Sequence, residues 1–333
     1  MKVGVFLPSF LLPDRGPTEP ERLRGFARRA EELGFDSLWI TDHVVTARRF
    51  YRVSWLDSLM TLSHVAAVTK RVKLGTSILI LPLRQPAVLA KEIATLHHLS
   101  GERYIYGVGV GWYGPEFEAC GVRKSERGVR TDEVLRATHA LLTQDEVEFH
   151  GRYYDLTKVT VEPRPLTAPP TWVGGGRQLE HEASPEQSRM SPTVLERIVN
   201  ADGWIARPTC PPHLIVVDLQ EIIQTRTQRQ LTRPFTVAHE NFTWLTEACS
   251  ADAITAEQQL RFSQVVSNER PWNYIDAVYL TGSIDDIQKK IQARIDAGIE
   301  YLMLHTLTTD PWQLELMAKH VLEPFHNSGS RQG

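Results

Sequence analysis

The chain has 333 residues, 37 Lys and Arg against 40 Asp and Glu, a formal net charge of −3 and 42% hydrophobic residues. That length suits one large α/β barrel or two ordinary domains, and the near-balance of charge leaves no electrostatic footprint for nucleic acid or a membrane surface. No apolar run approaches the roughly 20 residues that span a bilayer, and Cys120, Cys210 and Cys249 are too scattered for a CxxC pair, a disulfide framework or a zinc site.

The opening MKVGVFLPSF reads as a buried first strand over 3–8, with one Lys and no small-residue cleavage site of a signal peptide; a reducing cytoplasm is the expected setting. Over 19–33, Leu23, Phe26, Ala27, Ala30 and Leu33 share one face of a 3.6-residue period, which predicts an amphipathic helix stopped by Gly34. A strand over 35–41 ends in Asp42-His43. A helix is predicted over 55–69, a strand over 72–78, and a helix over 86–99 with Pro86 at its start. The strand over 104–111 carries Gly107-Val108-Gly109-Val110-Gly111-Trp112 and precedes a helix over 127–142. Residues 146–163 break the rhythm as an alternating hairpin turning at Gly151. A fifth strand over 171–173 ends in Gly174-Gly175-Gly176, and further strands are predicted over 202–205, 235–241 and 300–305. Ile284, Ile287, Ile291 and Ile295 mark a helix ending near Gly298, and a closing helix spans 312–322.

About eight strand–helix units predict a (β/α)8 TIM barrel, one domain over 1–326 with a disordered tail over 327–333. Segments 177–192 and 246–274 exceed a minimal connection and leave from C-terminal strand ends, so both are expected to be lids over the mouth. A dinucleotide fold is the competing reading of Gly109-x-Gly111-x-x-Gly114. It fails because Pro115 follows, Glu133 falls in a helical pattern instead of ending a strand, and three strand–helix units come first. A metal-dependent barrel hydrolase is disfavoured by the lack of an HxH on strand one and of a later His/Asp ladder.

Chemistry-bearing residues collect at predicted strand ends. Asp42-His43 follows strand two, where barrel enzymes keep catalytic groups, and an imidazole can give or take a proton near neutral pH; the bland alternative is a histidine that only packs. Thr76-Ser77 ends strand three, either against a cofactor or as an ordinary polar strand end. Gly109 and Gly111 let a strand approach a ligand closely. Gly174-Gly175-Gly176-Arg177 offers free backbone N–H groups and a guanidinium, which suits an anion. Trp112 gives an aromatic wall, and Trp204 is pocket floor or core. His305 is at least equally a structural histidine, and His97-His98 read as surface or packing residues. Arg48, Arg49 and Arg52 form a solvated basic loop or meet an acidic cofactor tail.

The segments MKVGVFLPSF, AEELGFDSLWITDHV, LGTSILILPLRQPAVLAKEIATLHHLSGERYIYGVGVGW, FEACGVRKSERGVRTDEVL, PPTWVGGG, ADGW and AGIEYLMLH together resemble the bacterial luciferase-like monooxygenase superfamily, in particular its F420-dependent branch. The resemblance covers nearly the whole chain. It implies a barrel with the cofactor ring across its C-terminal mouth, hydride transfer with F420 or oxygen activation with reduced FMN, a small organic substrate and a homodimer. It makes His43 catalytic, with Asp42 orienting His43 or a loop. It assigns Ser9, Thr76, Ser77, Gly109, Gly111, Gly174, Gly175, Gly176 and Arg177 to the cofactor, with a bulge or non-prolyl cis peptide near Ser77. Phe10, Trp112 and Trp204 are assigned to the substrate pocket, and no metal is implied. Sugar-phosphate dehydrogenases of that branch carry a Glu acid where this chain has Trp112, which argues against a sugar phosphate. Arg177 and the polar insertion behind it also depart from the family's phosphate loop. The readings carried forward are an F420-dependent oxidoreductase, a reduced-FMN monooxygenase and a flavin-binding protein with little catalysis. Should His43 only pack, the proton source is expected at Glu116, among the neighbours of Trp204 or in bound water.

Overall fold

The computed structural model of the chain describes residues 1–11, 20–177, 189–267 and 270–326. Among them eight parallel strands close into a barrel: β1 (Lys2–Phe6), β2 (Ser37–Ile40), β3 (Lys73–Thr76), β4 (Tyr104–Gly109), β5 (Thr171–Gly175), β6 (Gly203–Ala206), β7 (Thr236–Thr243) and β8 (Tyr301–Thr306). Closure is made by β8 on β1, with Lys2 opposite Tyr301, and by β4 on β5, with Tyr106 opposite Thr171.

Alternation along each strand divides the side chains between two cores. Phe6, Trp39, Ile105, Trp172, Ile205, Ala238, Tyr301 and Met303 fill the barrel interior. Trp39 and Trp172 are its largest members, stacked with ring centroids 5.4 Å apart, and Trp39 donates its indole N–H to Ser37 Oγ at 2.5 Å. The opposite faces meet the helices: α1 (Pro20–Glu32), α2 (Ser58–Ala66), α3 (Pro86–Leu99), α4 (Arg127–Thr143), α5 (Pro192–Val199), α6 (Pro212–Gln228), α7 (Ile284–Asp296) and α8 (Trp312–Met317). In α1 the predicted face is buried through Leu23, Phe26, Ala27 and Ala30. In α7 a Ser283–Asp286 capping box fixes the start and Ile287 and Ile291 are buried. Each Leu, Phe or Ile among these contributes about 1.5–3 kcal/mol when taken from water.

Local chemistry explains where pattern and structure differ. The predicted helix over 55–69 starts only at Ser58, because Asp57 caps it by accepting the Met60 N–H at 2.9 Å and Trp55 pairs with Phe10 in a short antiparallel ladder. The closing helix runs over Trp312–Met317 and relaxes into a π-turn over Ala318–Leu322. Helices α5 and α6 begin at Pro192 and Pro212, whose fixed φ and missing N–H suit a first helical position. The hairpin pairs Val147–His150 with Asp155–Val159, and Glu133 of α4 holds its turn by accepting the N–H groups of Arg152, Tyr153 and Tyr154.

Between β7 and α7, helices over Ala251–Val265 and Trp272–Val278 build a second apolar cluster at the mouth with Phe10, Val53, Phe242 and Leu307. Tyr51 bridges to Val266 and Arg52 donates its N–H to Val265 O at 2.8 Å, so this segment is tied to the loop after β2. Of the other expected lid, 178–188 lie outside the described residues, as does the tail over 327–333.

Candidate active site

His43 stands one residue beyond Asp42 after β2. Its Nδ1 lies 3.0 Å from Glu116 Oε1, and Glu116, in the short helix Gly114–Ala119 after β4, is fully buried. The same oxygen accepts the Val44 N–H at 2.8 Å, and Glu116 Oε2 has no hydrogen-bond partner among the described residues. An acceptor oxygen so placed puts the ring proton on Nδ1 and leaves Nε2 as the nitrogen able to accept one. Trp55 packs 4.8 Å from the imidazole centroid, Trp112 meets it edge-on at 6.0 Å and Tyr51 lies at 6.1 Å. The site therefore couples one oriented base to an aromatic wall.

Asp42 has a different task from its neighbour. Its carboxylate accepts the Ser58 hydroxyl at 2.9 Å, the Ile80 N–H at 3.0 Å and the Arg84 guanidinium at 2.7 Å. These bonds fasten the β2 and β3 loops together, so of the two roles expected of Asp42 its contacts fit the orientation of a loop, and the partner that orients His43 is Glu116.

Thr76 is committed to the barrel wall, donating to Gly107 O at 2.7 Å. The Ser77–Ile78 peptide is cis. Ile78 then packs along the wall against β4 and β5: a Cβ at Gly109 would come within 2.8 Å of Ile78 and one at Gly174 within 2.6 Å, so these two glycines make room for that side chain. Ser77 Oγ–H donates to Glu240 Oε2 on β7, the strand facing β3 across the barrel. Desolvation raises the half-buried Glu240 carboxyl to about 7, with the Ser77 bond pulling it partly back. His305 on β8 is sandwiched between Phe6 at 3.4 Å and Phe242 at 4.1 Å, and burial depresses it to about 3, so it stays neutral.

Beside the mouth, over the ends of β4 and β5, opens a cavity of about 680 Å³. Gly174, Gly175 and Gly176 form one wall, the first turns of α4 and α5 another, and Arg127, Arg189, Arg197 and Arg207 line it. Arg197 is already paired with Asp132 at 2.6 Å, and Arg127 donates to Lys124 O at 3.0 Å. The Arg207 guanidinium, on the residue after β6, makes no hydrogen bond or ion pair among the described residues. Burial lowers its pKa, and Cys210 and Asp218 offset part of that. A half-buried cation without a paired carboxylate, facing glycine backbone and helix N-termini, suits an anionic group such as a phosphate.

The structure redistributes several residues assigned from sequence. Gly174, Gly175, Gly176 and Gly109 line the cavity, whereas Gly111 (φ 69°) turns the chain beyond it. Arg177 is directed elsewhere: its Nε lies 2.6 Å from Asp218 Oδ1 and its NH2 group donates to Glu221 at 2.9 Å. The Asp218 carboxylate also accepts the Arg177 N–H at 2.9 Å, which clasps the glycine loop from behind. Of the two places expected of Trp204, its contacts are those of the outer core: it is fully buried there, its indole N–H donating to Gly175 O at 3.0 Å. Trp112 is 42% exposed at the aromatic wall. Ser9 is buried with its hydroxyl unpartnered among the described residues, and Phe10 sits in the apolar cluster under the Ala251–Val265 helix. Arg48, Arg49 and Arg52 are exposed on the β2 loop and do not line the cavity. Sequence reasoning missed Arg207 and Glu240; an arginine right after a predicted strand and a carboxylate inside an apolar one were the available signals. Among the described residues no three His, Cys, Asp or Glu side chains gather as a metal site, and no helix is long and apolar enough to cross a membrane.

Comparison with known proteins adds to this geometry. The family described as luciferase-like monooxygenase matches residues 1–182. An F420-dependent glucose-6-phosphate dehydrogenase of Amycolatopsis mediterranei is 28% identical, over 86% of this chain and 88% of that one. An FMNH(2)-dependent dimethylsulfone monooxygenase of Pseudomonas putida is 33% identical, over 44% of this chain and 40% of that one. The fold superimposes on an F420-dependent secondary alcohol dehydrogenase, solved with an F420-acetone adduct, at a TM-score of 0.77 and 19% identity, covering 96% of this chain and 98% of that one.

Proposed function

The chain belongs to the luciferase-like monooxygenase family of oxidoreductases, and from that membership and its own site we propose that it is an F420-dependent oxidoreductase acting on a small organic substrate. The observation that carries the choice of cofactor is the arginine-lined cavity at Gly174–Gly176, whose cations exceed what a single phosphate needs and suit a longer polyanionic tail. A relative that aligns over 86% of the chain is named as an F420-dependent enzyme, whereas the FMNH(2)-dependent one aligns over 44%.

When bound, such a cofactor supplies hydride chemistry. Arg207 and the glycine loop would hold its anionic portion. His43, with Nδ1–H fixed by Glu116, would take or return the substrate proton at Nε2. Trp55, Tyr51 and Trp112 would exclude water beside it. Trp112 stands where the sugar-phosphate enzymes carry an acid, so the proposed substrate is uncharged and apolar. By the same resemblance the proposal includes a homodimer in the cytoplasm.

Fluorescence titration of the purified protein with F420 and with FMN tests the reading. Tighter binding of F420 is expected; submicromolar FMN binding with no response to F420 would overturn it in favour of a reduced-FMN monooxygenase.

A further inference from the structure

The mouth carries a second proton-bearing group. Ala238, Glu240 and Phe242 share the face of β7 that looks into the barrel: Ala238 belongs to the interior core, Phe242 stacks on His305, and Glu240 lies between them level with Met303. His239, one residue earlier, turns the other way and bonds Arg207 O at 2.9 Å. The Glu240 carboxyl is received by Ser77 from β3, on the far side of the barrel, so the bond spans the mouth.

No cation makes an ion pair with Glu240 among the described residues. The groups that face it are the Ser77 hydroxyl from the β3 end, Tyr51 from the β2 loop, Tyr279 from the segment before α7 and the neutral His305 of β8; Arg270, which donates to Tyr279 Oη at 2.7 Å, and Tyr274 lie behind them. A carboxyl in that setting is easily kept protonated, and its ionisation would add an unscreened negative charge to the mouth.

We propose that Glu240, positioned by Ser77 across the barrel, is the group whose protonation sets how tightly the site holds the reduced, anionic form of its cofactor relative to the oxidised form. This rests on the reading of the chain as a flavin or deazaflavin enzyme. Reduced flavins and deazaflavins carry negative charge on the pyrimidine portion, so a neutral acid at the mouth tolerates or bonds that form and a carboxylate repels it. The Glu240 inflection lies at about 7, where the effect would be felt physiologically.

The test measures dissociation constants of oxidised and reduced F420, and of FMN, from pH 6 to 8 for the wild type, Glu240→Gln and Ser77→Ala. The wild-type preference for the reduced form should fall roughly tenfold across that range relative to Glu240→Gln, which keeps a donor but cannot ionise. The comparison cancels the cofactor's own titration. Ser77→Ala removes the bond that favours the charged carboxyl, so its inflection should move to higher pH; if Glu240→Gln does not fold, this shift carries the test. Identical pH dependence in wild type and Glu240→Gln, or an unmoved inflection in Ser77→Ala, overturns the inference and leaves the assigned function standing. A folded protein that binds neither cofactor in either state overturns both.

Discussion

His43 Nδ1 and Glu116 Oε1 lie 3.0 Å apart although 73 residues separate them in the chain. Barrel closure creates the contact, since β2 and β4 flank β3 and deliver their following loops to the same side of the mouth. The buried carboxylate fixes the ring, and the adjacent Val44 N–H fixes the carboxylate. A base held in this way needs little reorganisation when a proton moves.

Replacing His43 with Ala or Gln should lower turnover by about 10²–10⁴-fold, the usual worth of general acid–base catalysis, while cofactor affinity changes far less. Glu116→Gln should retain the fold and lose part of that factor, because an amide can still meet the ring but does not favour a charged imidazole. Single-turnover rates at saturating cofactor decide. An undiminished rate in His43→Ala would make the histidine a packing residue.

Arg207→Gln should weaken cofactor binding by roughly ten- to a hundredfold, the value of a charge-assisted hydrogen bond, with thermal stability held or improved. Gly175→Val should also weaken it, but at a stability cost of about 1–3 kcal/mol, because the new Cβ would lie 2.8 Å from Val194 Cγ1. Titration and urea unfolding of both variants separate the two effects. Unchanged affinity in both would place the anionic tail elsewhere.

Asp218→Ala removes the buried one of the two carboxylates paired with half-buried Arg177, leaving Glu221, and releases the Gly176–Arg177 backbone. Loss of one partner of a buried pair typically costs about 3–5 kcal/mol. Because Glu221 still holds the guanidinium, urea denaturation should show a smaller fall, about 1–3 kcal/mol, accompanied by weaker cofactor binding through the loosened loop; a loss below about 1 kcal/mol would mean that the clasp contributes little.

His305 gives a pH prediction with a definite sign. Its folded pKa of about 3 lies below the 6.5 of a free imidazole, so the unfolded chain binds the extra proton between those values. The stability it contributes is fully present above about 6.5 and declines as the pH falls towards 3, by about 1.4 kcal/mol per pH unit. His305→Phe should lose that part of the acid sensitivity, so the stability difference between variant and wild type must change with pH over 6.5 to 5. A constant difference would show that the imidazole escapes the Phe6–Phe242 sandwich before it protonates.

Much of the barrel is legible in the sequence because periodicity reports burial directly. The Leu23, Phe26, Ala27, Ala30 face of α1 and the apolar runs of β1, β4 and β8 are imposed by one-dimensional spacing, and α1 is stopped at Gly34. Strand-end position then marks the mouth, and His43, Ser77 and the glycine loop all stand there. What the spacing cannot carry is the partner. Asp42 adjoins His43 in sequence, yet the turn between them sends one carboxylate to Arg84 and the imidazole to Glu116. Arg177 follows the glycines, yet Asp218 of α6 draws it away and Arg207 comes from the next strand to line the cavity. Ser77 and Glu240 are 163 residues apart and meet only because β3 and β7 face each other across a closed barrel. Hydrophobic patterning is a local constraint satisfied residue by residue, so the sequence by itself determined the elements and their order. Side-chain pairing depends on distances that exist only after closure, and there the tertiary structure alone decided which acid meets which base.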